Sequence, residues 1–362
     1  MERARNGLRV NRTAAGGPGA IDWSVAAATG RKLVRGGPPV PRARAEQTVR
    51  ALHEVNGTAE LHVRELTGLG HGLPLRDAEV VDRQGWIQAA TEGLSALTDD
   101  AVPRRVDNRL SALFAGSAGV QTGMLLAFLG SRVLGQYDPF GPSAAEGRLL
   151  LVAPNVLSVQ QALDVPAADF RMWVCLHECT HRLQFTAVPW LRDYFAEQVG
   201  KLLTGFGDAD DSRLGRLPEL LKQARQSRQT RAGADPIGIA ELLTSPEQRA
   251  VLDRLIALST LLEGHADHVM DAVGPQVVPS VAAIRRKFTE RRRGGGVLDR
   301  ALRVLLGVDA KVRQYAQGSA YTKHIVDAVG MSGFNLVWES PESLPTRAEI
   351  TDPDAWLRRV RP

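Results

Sequence analysis

Apolar positions along this chain recur mostly at intervals of three and four residues, the spacing that gives a helix one buried face. Such runs extend from about Ala43, from Arg76 to Leu97, from Asp107 to Leu134, from Asp169 towards Pro189, from Val251 to Asp271 and from Val297 to Gly330. One segment breaks the pattern. Arg148-Leu149-Leu150-Leu151-Val152-Ala153 is a short continuous apolar run ended by Pro154-Asn155, which predicts a strand by length and flanks. Gly36-Gly37-Pro38-Pro39, Asp235-Pro236 and Ser245-Pro246 punctuate the chain, and Phe206 to Asp211 reads as a polar loop. The Pro-rich tail from Pro341 should wrap the surface. The fold class that follows is mainly α, of the α+β kind, with a small sheet. Residues 1–20, rich in Gly, Arg and Ala, read as a disordered segment, 21–140 as an N-terminal helical region, and 141–362 as the region that carries the chemistry.

Composition changes this picture little. At 362 residues and 44% hydrophobic, the chain can bury a large core. Its formal charge of +5 is carried almost wholly by arginine, since only six of 45 basic residues are lysine. The densest cluster, Arg285-Arg286-Lys287 with Arg291-Arg292-Arg293, precedes Gly294-Gly295-Gly296 and reads as a solvated helix end. No aromatic interleaving accompanies it, so nucleic acid is not an expected partner. The longest apolar stretch, around Met124 to Leu129, falls far short of a membrane span, and the N-terminus has no apolar signal region. A cytoplasmic enzyme is the expectation.

The chemistry concentrates at His177-Glu178-Cys179-Thr180-His181. On a helix, positions i and i+4 share a face, so His177 and His181 can offer two imidazole nitrogens to one Zn²⁺, with Glu178 beside them as general base. Pro166 and Asp169 are start signals and Pro189 a stop. Cys175 and Cys179 frame the motif, but helical geometry turns both thiols away from the imidazoles, so they read as buried apolar residues and neither as ligands nor as a disulfide. The third ligand should come from Leu261 to Asp271. There Glu263, Asp267 and Asp271 share one helix face, and His265 and His268 share another. Glu263 is the favoured ligand, Asp267 the carboxylate placed to accept the free N–H of a ligating His, and His265/His268 the alternative. Gly264 beside the ligand would let another backbone approach closely.

These residues describe a metal-assisted hydrolase with one zinc per chain. Glu178 would take a proton from a metal-activated water as it attacks a carbonyl carbon, and pass it to the leaving amine. The oxyanion needs a further donor, and Tyr315, Tyr321, His324 and His265 are the candidates that the sequence offers. The rival from another class is a non-catalytic zinc protein with a closed, four-ligand site, which His265 or His268 could complete.

H-E-x-x-H with a downstream E-x-x-x-D resembles the gluzincin branch of the zincin metallopeptidases. The resemblance extends to Asp22-Trp23, Gly123 to Phe128, Val133 to Pro139, Val152 to Asn155, Pro189 to Arg192, and Trp338 to Pro345. Together these residues resemble an actinobacterial zincin-like metallopeptidase family whose members are labelled coenzyme F420 biosynthesis-associated, over nearly the whole chain. The resemblance implies a zinc-dependent hydrolase fold, but no substrate. It also implies that the strand before the H-E-x-x-H helix, Arg148 to Ala153, is the edge strand on which an extended peptide or related amide substrate would lie.

Overall fold

The computed structural model describes residues 21–99, 109–141, 147–207, 245–293 and 308–361. The elements are α1 (Trp23–Leu33), α2 (Arg42–Thr67), β1 (Glu79–Val81), α3 (Arg83–Asp99), α4 (Arg109–Gly130), β2 (Gly135–Asp138), β3 (Arg148–Val152), α5 (Ala153–Leu163), α6 (Ala167–Ala187) and α7 (Leu191–Gly207). After the next described residue come α8 (Pro246–Ala272), α9 (Val281–Arg293), α10 (Val308–Phe334, kinked at Gly330), α11 (Arg347–Thr351) and α12 (Pro353–Val360). The mainly helical expectation holds. The segment 1–20, Asp235-Pro236 and the glycines at 294–296 lie outside the described residues.

The sheet has the order β1-β3-β2, with β1 parallel and β2 antiparallel to β3. This corrects one expectation. The strand at Arg148 is central, paired on both sides, and the edge positions belong to β1 and β2. Its apolar run is continuous because both faces are covered. Leu149 and Leu151 enter the main core, built on α2, α6, α8 and the C-terminal elements, while Leu150 and Val152 enter a second cluster with Trp86, Ile87 and Leu126. β1 and β2 escape a reading by periodicity because three and four residues are too few to show alternation.

Helix α6 runs through the middle of the main core. Phe170, Trp173, Val174, Leu176 and Leu183 are all buried, and so are Cys175 and Cys179, both free thiols. Behind α6, Glu60 of α2 pairs with Arg64 on its own helix and with Arg182 of α6, and all three side chains are buried. Arg64 Nη1 and Arg182 Nη1 also donate to the carbonyls of Leu73 and Arg76, each at 2.6 Å. Ser245, read as a breaker, caps α8: its Oγ accepts from Gln248 N and the Gln248 side chain accepts from Ser245 N, with Pro246 in the first turn. The tail does more than wrap the surface, since Trp356, Ile350 and Leu344 are buried in the main core. Among the described residues, no helix is long and apolar enough to cross a membrane.

Candidate metal centre

Two helices meet at the site. α6 carries His177, Glu178 and His181, and α8 crosses it carrying Glu263. The close approach of α8 to a further helix depends on a glycine next to Glu263. A Cβ at Gly264 would stand 2.1 Å from the carbonyl carbon of Gly318 in α10, and one at Gly318 would stand 2.1 Å from Thr260 O. The two helices therefore cross glycine on glycine, the close approach for which Gly264 is suited.

Three donor atoms converge. His177 Nε2 and His181 Nε2 lie 3.2 Å apart, and Glu263 Oε2 lies 3.5 Å from the first and 3.8 Å from the second. Donors held about 2.0–2.1 Å from a tetrahedral zinc stand about 3.3 Å from one another. The donor chemistry and the spacing both fit that ion. Among the described residues, these three form the one group of His, Cys, Asp or Glu whose ligand atoms converge in this way. The far nitrogens of the imidazoles are occupied: His177 Nδ1 is 3.2 Å from the Met270 sulfur and His181 Nδ1 is 2.9 Å from Gln184 Oε1. Each ring thus turns its Nε2 to the shared point.

Glu178 stands next to them, only 6% exposed. Burial, reinforced by the Glu263 carboxylate, pushes its carboxyl well above the usual carboxylate range. Edge strand β2 presses on it. A Cβ at Gly135 would meet Glu178 Cγ at 2.6 Å, so any side chain there would force the Glu178 side chain to shift. The site opens into a cavity of about 640 Å³ bordered by β2, α6, α8 and α9. Tyr137, Phe140, Phe185 and Phe195 line one part of it, and Trp173 and Phe288 another.

The remaining candidates fall in several places. Asp267 lines the cavity, where its Oδ1 accepts from Arg285 Nη1 at 2.9 Å. Arg285 also donates to Asp271 Oδ1 at 2.7 Å and to the Asp267 carbonyl. Arg285 is therefore no solvated helix end: it is three-quarters buried in the cleft wall. His265 is fully buried behind the site, packed on Phe334 and Trp338, and burial holds its imidazole down to about 3. His268 is half-buried on the flank of α8 that senses Lys323 and Asp327. Tyr321 is buried against Trp356, and His324 pairs with Asp354 at 2.8 Å on the surface. None of these last four lines the cavity. Tyr315 belongs to α10, but its side chain lies outside the described residues. Sequence reasoning missed Gln184, Gly135, Met270 and Arg285. Only Gln184 had a local signal, because it lies three residues after His181 on the same helix.

A family model described as zincin-like metallopeptidase matches residues 21–357. The chain belongs to the zincin-like metallopeptidase family. A solved relative of this zincin-like chain is a Chloroflexus aurantiacus protein described as a "putative hydrolase with a novel fold". It is 32% identical, with a TM-score of 0.63, and the match covers 94% of this chain and 98% of that one. No curated protein matches the chain. Family and relative together support a hydrolase, and the family implies a zinc cofactor.

Proposed function

We propose that this zincin-like protein is a zinc-dependent peptidase in which His177, His181 and Glu263 hold the ion and Glu178 is the general base. The observation that carries the reading is the spacing of the three donors, 3.2, 3.5 and 3.8 Å, with the Glu178 carboxyl in the same cleft. A zinc ion held there supplies Lewis acidity towards a carbonyl oxygen and lowers the pKa of water towards about 7. Glu178 Oε1 or Oε2 accepts the proton that the attacking water loses and delivers it to the leaving amine nitrogen. Burial beside the Glu263 carboxylate makes the Glu178 carboxylate more basic than an exposed one, the direction that a proton acceptor requires.

Peptides are favoured over compact metabolites by the shape of the cleft. β2, which takes over the edge role first expected of the strand at Arg148, borders the cavity and offers main chain for an extended substrate to pair with. Its aromatic lining suits apolar side chains. A closed structural zinc site is disfavoured, because His265 and His268, the side chains that could have completed it, do not line the cavity. Zinc titration tests the assignment. Wild type should bind one zinc per chain, and His177→Ala, His181→Ala and Glu263→Ala should each lose it. Full zinc in the Glu263→Ala variant would refute the ligand set.

A further inference from the structure

Gln184 lies one turn beyond His181 on α6, fully buried, at the junction of the two ligand-bearing helices. Its side chain has three partners. Nε2 lies 3.0 Å from the carbonyl oxygen of Leu262 and 3.1 Å from His265 Nδ1, and Oε1 lies 2.9 Å from His181 Nδ1. A backbone carbonyl can only accept, so Leu262 requires the amide nitrogen on its side. The second amide hydrogen then points at His265 Nδ1, which must be the bare nitrogen of an Nε2–H imidazole. The amide oxygen is left facing His181, which must donate from Nδ1 and keep the lone pair of Nε2 for the point it shares with His177 and Glu263. Turned over, the amide would set oxygen against the Leu262 oxygen and a donor against His181 Nδ1. The proton of His181 would then sit on Nε2, where a metal must bind.

We propose that Gln184 and His265 are a positioning pair for the metal centre: they fix the tautomer of His181 and tie α8, one residue before Glu263, to α6. The inference rests on the metal-site reading above. His265 itself supplies a second argument. Its Nε2 is buried and finds no hydrogen-bond partner among the described residues, a cost that a phenylalanine between Phe334 and Trp338 would avoid. What histidine adds at this position is the Nδ1 acceptor that fixes the amide.

The test separates orientation from mere packing. Zinc dissociation constants are measured by chelator competition for wild type, Gln184→Met, Gln184→Glu and His265→Phe, alongside melting of the metal-free proteins and cobalt(II) absorption spectra. Gln184→Met keeps the volume but not the acceptor, and should weaken zinc about 10–100-fold and shift the cobalt bands. Gln184→Glu keeps an acceptor for His181 but loses the donor to Leu262. It should hold zinc near wild-type affinity while melting lower. His265→Phe should weaken zinc less than Gln184→Met. Nitrogen-15 spectra of metal-free wild type should show His265 as the Nε2–H tautomer, a readout independent of whether any variant folds. Wild-type zinc affinity in Gln184→Met, or an Nδ1–H tautomer at His265, would overturn the pair. Absence of zinc binding by wild type would instead overturn the metal site, and the pair's role with it.

Discussion

Replacing Gly264 with alanine tests the packing that carries Glu263 into the site. The new methyl would stand 2.1, 2.4 and 2.5 Å from the carbonyl carbon, oxygen and Cα of Gly318, where non-bonded carbons rest about 3.5–4.0 Å apart. All three obstacles are backbone, so no rotamer can relieve them and α8 and α10 must separate by more than about 1 Å. Alanine gains about 0.8–1.0 kcal/mol over glycine in a helix interior. Overpacking costs about 1–3 kcal/mol, with the upper part of that range applying to a rigid obstacle. The balance is a net loss of about 2 kcal/mol. Gly57, inside α2, is the matched control: nothing lies within 4 Å of its Cβ position, so Gly57→Ala should stabilise by up to about 1 kcal/mol. Urea unfolding of the metal-free proteins, with slopes compared so that only midpoints are interpreted, reads both signs. Displacement of Glu263 should also weaken zinc in Gly264→Ala and leave it unchanged in Gly57→Ala. If both variants gain stability equally, the glycine-on-glycine crossing is not what the structure holds.

Glu60→Ala should cost about 3–5 kcal/mol in the same unfolding assay, because it leaves the Arg64 and Arg182 guanidinium groups buried without their carboxylate; a loss below about 1 kcal/mol would contradict this. Acid should destabilise the metal-free protein through His265. Burial, with the positive charge of His268 and His181 adding to it, holds its folded value at about 3 against an ordinary 6.5. The unfolded chain therefore takes up a proton that the native state refuses, and stability falls as pH drops below about 6.5, by up to about 1.4 kcal/mol per unit. Melting curves between pH 7 and 5 should fall more steeply for wild type than for His265→Phe, and parallel curves would exclude the effect.

The legible parts of the molecule were those encoded locally. The α6 helix shows its period, its proline boundaries and its two histidines within about twenty residues, and the α8 segment offers Glu263 and Gly264 side by side. Long-range pairing was not legible. The run from Leu149 to Val152 announces a strand, but the identity of its neighbours, and hence its central position, depends on β1 some seventy residues earlier and on a β2 of only four residues. Arg285 looked like one more surface charge because the carboxylates that hold it, Asp267 and Asp271, sit on another helix. Gly135 gave no signal either, since its reason for being glycine is a carboxylate forty-three positions away.

The most direct test of hydrolysis at this centre is a peptide-library digest of wild type beside Glu178→Gln, with zinc content determined in both preparations. The substitution removes the proton acceptor while keeping the shape of a side chain that is buried against β2. Wild type should cleave peptides, and Glu178→Gln should hold one zinc per chain and cleave none. Equal cleavage by the two proteins, or no cleavage by zinc-loaded wild type, would contradict the account.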